Sequence, residues 1–160
     1  MNRQTDSEKT GGKARTIRKT FSRETLVSAT IDADPAIVWA LLTSASDYPR
    51  WNSTVTSVKG EIREGGAIEL KSILDEKRTF KLKVKEFVPQ KRLVWGDAMG
   101  SRVYMLERDK GGNTLFSMSE KIGGPIFPLF AGSIPSFDES FERFTADLKK
   151  EAETIQRSKK

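Results

Sequence analysis

The sequence predicts an α+β domain in which a seven-stranded antiparallel sheet wraps around one long C-terminal helix. Three observations carry that expectation. Seven segments with strand-type patterning are separated by turn residues, two short helical pieces follow the first of them, and the chain ends in a stretch of helical period.

Residues 24–32 form the first strand, with Leu26, Ser28 and Thr30 alternating against Val27, Ala29 and Ile31. Asp34-Pro35 then supplies an N-cap and a proline at the first helical position. Ile37, Val38, Leu41 and Leu42 give that short helix its apolar stripe, and a second helical piece is expected near residues 46–51. Six strands follow, at 54–62, 66–74, 78–88, 91–98, 101–109 and 113–122. Their separators are Gly65-Gly66, Asp75-Glu76, Pro89-Gln90, Met99-Gly100 and Gly111-Gly112-Asn113. In Phe80-Lys81-Leu82-Lys83-Val84-Lys85 the period of two is cleanest, with apolar residues on one face and lysines on the other. Those lysines fit a solvated outer face, which also guards a sheet against edge pairing. Finally Phe137, Phe141, Phe144, Leu148, Ala152 and Ile155 recur at three- and four-residue steps. Ser136 with Glu139 fits a capping box for that helix, with Ser133 as a rival start, and Glu139 with Arg143 and Lys149 with Glu153 supply i,i+4 pairs. It is the one element large enough to fill the concave face of such a sheet.

Composition narrows the chemistry. A chain of 160 residues suits one domain. With no Cys and no His, it has no disulfide, thiol nucleophile, Ser-His-Asp triad or imidazole base. Proton chemistry falls to Asp, Glu, Tyr or Lys. No phosphate-binding glycine motif or metal-ligand cluster appears in the sequence, so no cofactor and no metal is expected.

The net charge of +6 invites a nucleic-acid reading, but its location argues otherwise. Residues 1–23 hold seven basic groups against Asp6 and Glu8, and Arg157, Lys159 and Lys160 close the chain. The body between carries 18 basic and 20 acidic groups, whereas a nucleic-acid-binding fold would be expected to be basic itself; the strip of Lys71, Lys81, Lys83 and Lys85 fits a solvated face, so nucleic acid is not an expected partner. Residues 1–22 are expected to be a disordered basic tail, 23–156 the domain, and 157–160 a second basic tail. The tails suit weak peripheral contact with an anionic membrane. The absence of an apolar run of signal or transmembrane length makes the cytoplasm the expected location.

Several stretches resemble a known family. Ala33-Asp34-Pro35-Ala36-Ile37-Val38-Trp39-Ala40-Leu41-Leu42, then Asp47-Tyr48-Pro49-Arg50-Trp51-Asn52, resemble the opening of START-like (SRPBCC) helix-grip proteins. The closer resemblance is to the bacterial polyketide cyclase/dehydrase and lipid-transport branch. Gly111-Gly112-Asn113-Thr114, Glu120-Lys121-Ile122-Gly123-Gly124-Pro125 and Asp147-Leu148-Lys149-Lys150-Glu151 extend it over residues 24–156. The resemblance implies a deep, mostly apolar cavity between sheet and terminal helix that holds a lipid, polyketide or other hydrophobic ligand. Because this fold hosts carriers, enzymes and regulators alike, it does not name the ligand.

Aromatic side chains are the natural lining of such a cavity. Trp39, Phe141 and Phe144 also fit plain core, whereas Trp51 and Trp95 each carry an N–H that a wet or ligand-bearing pocket would satisfy. The candidate ligand contacts are Trp51, Trp95, Tyr104, Phe116 and Met118 from the body, Phe127 and Phe130 from the segment leading into the last helix, and Phe137 and Phe141 from that helix. Residues 123–130, two glycines followed by an apolar lip, suit a gate that opens over the cavity mouth or touches a membrane, or else a loop packed on the body.

The hairpin over residues 101–122 allows a sharper inference. Placing Tyr104, Leu106, Phe116 and Met118 on the dry face pairs Leu106 with Phe116 and Tyr104 with Met118. That register leaves Lys110-Gly111-Gly112 as the loop and sets Arg102 opposite Glu120 on the inward face. An inward Arg102–Glu120 pair is either a structural ion pair near the rim or a polar anchor in an apolar cavity. For a cyclase or aromatase activity, Glu120, Arg102 and Tyr104 are the candidate catalytic groups. A carrier or sensor of a hydrophobic small molecule is the first expectation, a cyclase-type enzyme the second, and a protein-interaction module the third.

Overall fold

The computed structural model describes residues 11–159. Strand β1 (Arg15–Arg18) pairs with β2 (Ser22–Ile31), and the chain then turns into α1 (Pro35–Thr43), a 3-10 turn at Ala45–Asp47, and α2 (Tyr48–Trp51). Strands β3 (Val55–Gly60), β4 (Ala67–Ser72), β5 (Asp75–Val88), β6 (Arg92–Gly96), β7 (Gly100–Arg108) and β8 (Thr114–Gly123) follow. A one-turn helix, α3 (Phe127–Phe130), and a 3-10 turn at Ala131–Ser133 lead into α4 (Asp138–Ser158). The sheet is antiparallel throughout, in the order β1-β2-β8-β7-β6-β5-β4-β3.

Local chemistry sets the short helices. The Asp34 carboxylate accepts the Ala36 amide at 2.8 Å and Pro35 opens α1. Tyr48 is wholly buried, and its hydroxyl donates to the Leu42 carbonyl at 2.7 Å, tying α2 to the end of α1. Phe141, Phe144, Leu148 and Ala152 of α4 all face the core, as their spacing predicts. At the far end of α4, Glu153 accepts the Asp32 amide at 2.8 Å and Gln156 accepts the Asp34 amide at 3.0 Å, which docks the helix on the β2–α1 junction.

The sheet has eight strands among the described residues, one more than the sequence predicts. The addition is β1, which lies inside the segment 1–22 expected to be a tail; residues 1–10 of that segment fall outside the described residues, as does Lys160 of the second tail. Counting apolar residues missed β1 because polar contacts hold it. It pairs with β2 from Arg15↔Leu26 to Arg18↔Arg23. Thr16 bonds to Thr25 at 3.1 Å and donates to the Asp138 carboxylate, while the Ala14 amide donates to Glu142 at 3.0 Å. The predicted capping box is also replaced. The helix starts one residue later, with Phe137 at the N-cap and no side-chain cap, and the Ser136 hydroxyl accepts the Asp138 amide at 3.3 Å.

Two features of the sheet shape the site. The β7–β8 hairpin has the register Arg102↔Glu120, Tyr104↔Met118 and Leu106↔Phe116. Its loop is closed by Asp109, whose carboxylate accepts the Gly111 and Asn113 amides at 2.9 Å each, and by Gly112 at a φ of 83°. The second feature is an overhang. Strand β5 meets β6 only from Lys83↔Gly96 onward, so its first half pairs with β4 alone. Register shifts at Leu70/Ser72 and Val84/Glu86 bend this hairpin away from the neighbouring strands. The wall of the sheet is therefore interrupted on the β5 side.

Candidate functional site

A cavity of about 360 Å³ occupies the space between the overhanging β4–β5 hairpin, the β6–β7 turn and the start of α4. Strands β4 and β5 supply Leu70, Leu74, Phe80 and Leu82, strand β8 supplies Ile122, and α4 supplies Phe141 and Phe144. Arg78 sits at the rim with its guanidinium 4.6 Å from the centre of the Phe80 ring. Ser133, Ile134 and Pro135, together with Met99, close the opposite side.

One ion pair lies in this mostly apolar wall. Arg102 Nε donates to Glu120 Oε1 at 2.9 Å, with side-chain exposures of 15% and 19%. The guanidinium also lies 4.9 Å from the centre of the Phe141 ring, so α4 covers it from above. Burial alone would lower the Arg102 pKa; the Glu120 carboxylate and Tyr104 outweigh it and hold the value above the usual arginine range. Arg102 is thus a fixed cation whose charge is already balanced inside the wall.

Behind Arg102 lies an aromatic cluster. The Tyr104 ring contacts Trp95 at 5.1 Å and Phe144 at 5.7 Å between centroids, and Trp51 contacts Tyr48 and Phe144 at 5.1 and 5.8 Å. The Tyr104 hydroxyl and the Trp51 indole N–H are buried; among the described residues neither makes a well-aligned hydrogen bond, although the Arg102 guanidinium is close enough to act on the Tyr104 hydroxyl. Burial pushes the Tyr104 hydroxyl up to about 12 against the opposing pull of Arg102. It is a neutral group at any ordinary pH.

Of the side chains singled out from sequence, Trp95, Arg102, Glu120, Phe137 and Phe141 line the cavity. Trp51, Tyr104, Phe116 and Met118 sit one layer deeper, in the closed core, where the packing of α4 against the sheet shuts them off from the opening. Phe127 and Phe130 pack edge-on against each other at 5.7 Å within the connecting segment and do not reach the cavity. The lip is instead the later part of that segment, Ser133 to Pro135.

Arg23, which no motif in the sequence singles out, is almost completely buried. Its guanidinium lies 4.6 Å from the centre of the Phe137 ring and donates to the Ile134 and Pro135 carbonyls at 3.2 and 2.8 Å. Burial, then the nearby Arg18, lowers its pKa. Arg23 therefore fastens the lip to the sheet. The signal was present: Arg23, Thr25 and Val27 share one parity along β2, so a basic residue falls on the dry face.

A family model described as polyketide cyclase/dehydrase and lipid transport matches residues 9–153. No curated protein sequence matches the chain. Among solved structures, a conserved protein of unknown function from Enterococcus faecalis superposes with a TM-score of 0.67 at 15% identity, over 95% of this chain and 84% of that one. A protein from Rhodobacter sphaeroides gives 0.61 at 21% identity, over 87% and 97%. A START superfamily protein from Mycobacterium smegmatis gives 0.61 at 13% identity, over 82% and 98%. Identities this low speak for the fold alone. The family match begins well before the expected domain start and so includes β1. By that match, spanning nearly the whole chain, the protein belongs to the polyketide cyclase/dehydrase and lipid-transport family.

Proposed function

We propose that the protein binds a hydrophobic small molecule, such as a lipid or a polyketide, in the cavity between the sheet and α4, acting as a carrier or sensor. The observation that supports this best is the cavity itself: about 360 Å³ with a mostly apolar wall and one internally balanced ion pair, Arg102–Glu120. Such a site holds a ligand chiefly by shape and apolar contact, with a few polar groups to orient it. Arg102 keeps N–H donors beyond the one given to Glu120, and these suit a ligand oxygen. The test is solvent extraction and mass spectrometry of the purified protein, with titration of a polarity-sensitive fluorophore. A co-purifying apolar molecule that the fluorophore displaces is the expected result. Leu82→Trp, which fills the cavity from β5, should abolish binding while the protein stays folded. Saturable binding unaffected by that variant would overturn the assignment.

The position of Glu120 on the cavity wall favours a second reading, a cyclase-type enzyme. In that chemistry the carboxylate takes a proton from a carbon beside a carbonyl, and Arg102 holds the oxygen that gains the electron pair. Tyr104, sealed behind Arg102, takes no direct part. The test is product formation from a poly-β-ketone thioester: turnover lost in Glu120→Gln with binding intact supports the enzyme, and no turnover in the parent protein rejects it.

A further inference from the structure

The segment between β8 and α4 is chemically unusual for this chain. Residues 123–137 contain no Asp, Glu, Lys or Arg, in a protein whose residues are 31% charged. A connecting segment on the surface normally carries such groups. Here it exposes apolar ones instead: Leu129 is 86% and Ile126 61% exposed. Phe127, 3% exposed and packed on Phe130, anchors the single turn of α3 and so holds Leu129 outward.

Two backbone bonds gather further apolar side chains at the same end of the sheet. The Gly124 amide donates to the Phe21 carbonyl and the Gly123 amide to the Met99 carbonyl, each at 3.0 Å. Phe21 is 58% and Met99 40% exposed. Isolated exposed apolar residues are ordinary, whereas a gathered set marks a contact surface. Met99, with Ile134 and Pro135 from the same segment, also lines the cavity, so this surface adjoins the opening.

Charge indicates what the surface meets. Arg18 and Lys19, in and just after β1, and Lys121, near the end of β8, are exposed beside it; the nearby acids are Glu24, opposite Lys121 across the ladder, and Asp97, whose carboxylate is engaged by the Met99 and Gly100 amides. Residues 11–22 carry four basic groups and no acidic one. An uncharged apolar tip flanked by cations is the pattern of a protein that sits shallowly in a bilayer interface. A second copy of the chain fits less well, because a two-fold contact through this patch would bring Arg18 and Lys19 near their own counterparts. Among the described residues no helix is long and apolar enough to cross a membrane, and a one-turn tip reaches only the headgroup–acyl boundary.

We propose that this end of the molecule docks on an anionic lipid bilayer, with Ile126, Leu129 and Phe21 entering the interface and Arg18, Lys19 and Lys121 meeting the headgroups. The cavity opening then faces the membrane. The proposal stands independently of what the cavity holds.

Co-sedimentation of the full chain with vesicles of phosphatidylcholine, with and without phosphatidylglycerol, tests it. The protein should partition onto the anionic vesicles and be released by salt. Leu129→Asp should lower the partition coefficient about tenfold or more, as loss of a buried leucine implies. Neutralising Arg18 or Lys19 with Gln should lower it about fivefold each on anionic vesicles. Val88→Asp, an exposed apolar site at the far end of β5, should change nothing. Failure of the parent protein to bind anionic vesicles would overturn the proposal, as would equal binding by the Leu129→Asp and Val88→Asp variants. So would a Leu129→Asp variant that converts a dimer to a monomer in light scattering while still binding vesicles.

Discussion

Arg102 and Glu120 face each other across the β7–β8 hairpin, joined Nε to Oε1 at 2.9 Å with the Phe141 ring over the guanidinium. The pair is mostly buried, so each charge depends on the other for its solvation. Glu120→Leu alone should cost about 3 kcal/mol, because the guanidinium is left uncompensated. The joint replacement Arg102→Met with Glu120→Leu should recover most of that loss, since apolar side chains of similar size suit the wall. Urea unfolding of the parent, Arg102→Met, Glu120→Leu and the double variant measures the coupling. Simple additivity of the two single penalties would show that the groups do not act as a pair.

The two buried tyrosines should respond unequally to loss of their hydroxyls. Tyr48 donates to the Leu42 carbonyl, so Tyr48→Phe should cost about 1–2 kcal/mol. Tyr104 has no well-aligned hydrogen bond among the described residues, so Tyr104→Phe should fall within about 0.5 kcal/mol of the parent at neutral pH. Burial raises both pKa values above the ordinary 10.0, that of Tyr104 to about 12. A raised folded pKa gives stability that is complete below about pH 10 and is lost as pH climbs toward the folded value. Tyr104→Phe should therefore flatten the alkaline limb of the stability curve. A cost above about 1 kcal/mol for Tyr104→Phe at neutral pH would reveal a partner for its hydroxyl.

Legibility in the sequence followed the kind of force at work. Where apolar period or turn chemistry dominates, the elements came through: the Phe141–Phe144–Leu148–Ala152 stripe, the Asp34-Pro35 start of α1, and the hairpin register that sets Arg102 against Glu120. Strand β1 stayed hidden because its order comes from a backbone ladder and from Thr16, contacts that hydrophobicity does not register. The depth of the aromatic residues was equally invisible. Parity places Tyr104, Phe116 and Met118 on the inward face, but whether that face meets a cavity or a packed helix depends on where α4 lies. The opening forms beside β5 because that strand outruns β6, a mismatch of lengths between two strands that no local motif encodes.

Arg23 links the sheet to the lip, and its removal should be felt there first. Arg23→Met keeps the apolar stem but withdraws the donors to the Ile134 and Pro135 carbonyls and the contact with Phe137. A loss of about 2 kcal/mol is expected from the released charged hydrogen bonds. Amide exchange should accelerate at Ser133, Ile134 and Ser136 while the β7–β8 hairpin stays protected. Arg23→Lys should restore only part of the effect, because an ammonium lacks the planar fork that spans two carbonyls. Uniform acceleration across the whole sheet would show that Arg23 supports the global fold rather than the lip.

At the other end of α4, Glu153 accepts Lys149 Nζ at 2.6 Å and the Asp32 amide at 2.8 Å. Partial burial works to raise its pKa, but Lys149 and the Asp32 amide outweigh it and hold the carboxyl below its ordinary 4.5. A depressed folded pKa gives stability that is present above the ordinary value and lost as pH falls through the folded one. Glu153→Gln keeps an acceptor for Asp32 yet loses the charge, so it should cost about 1 kcal/mol at neutral pH. The cost should shrink as the medium is acidified below the ordinary carboxylate range, until variant and parent unfold at the same urea concentration. Urea midpoints measured across that range give the answer. A gap that persisted unchanged into acid would place the contribution of Glu153 in packing rather than in its charge.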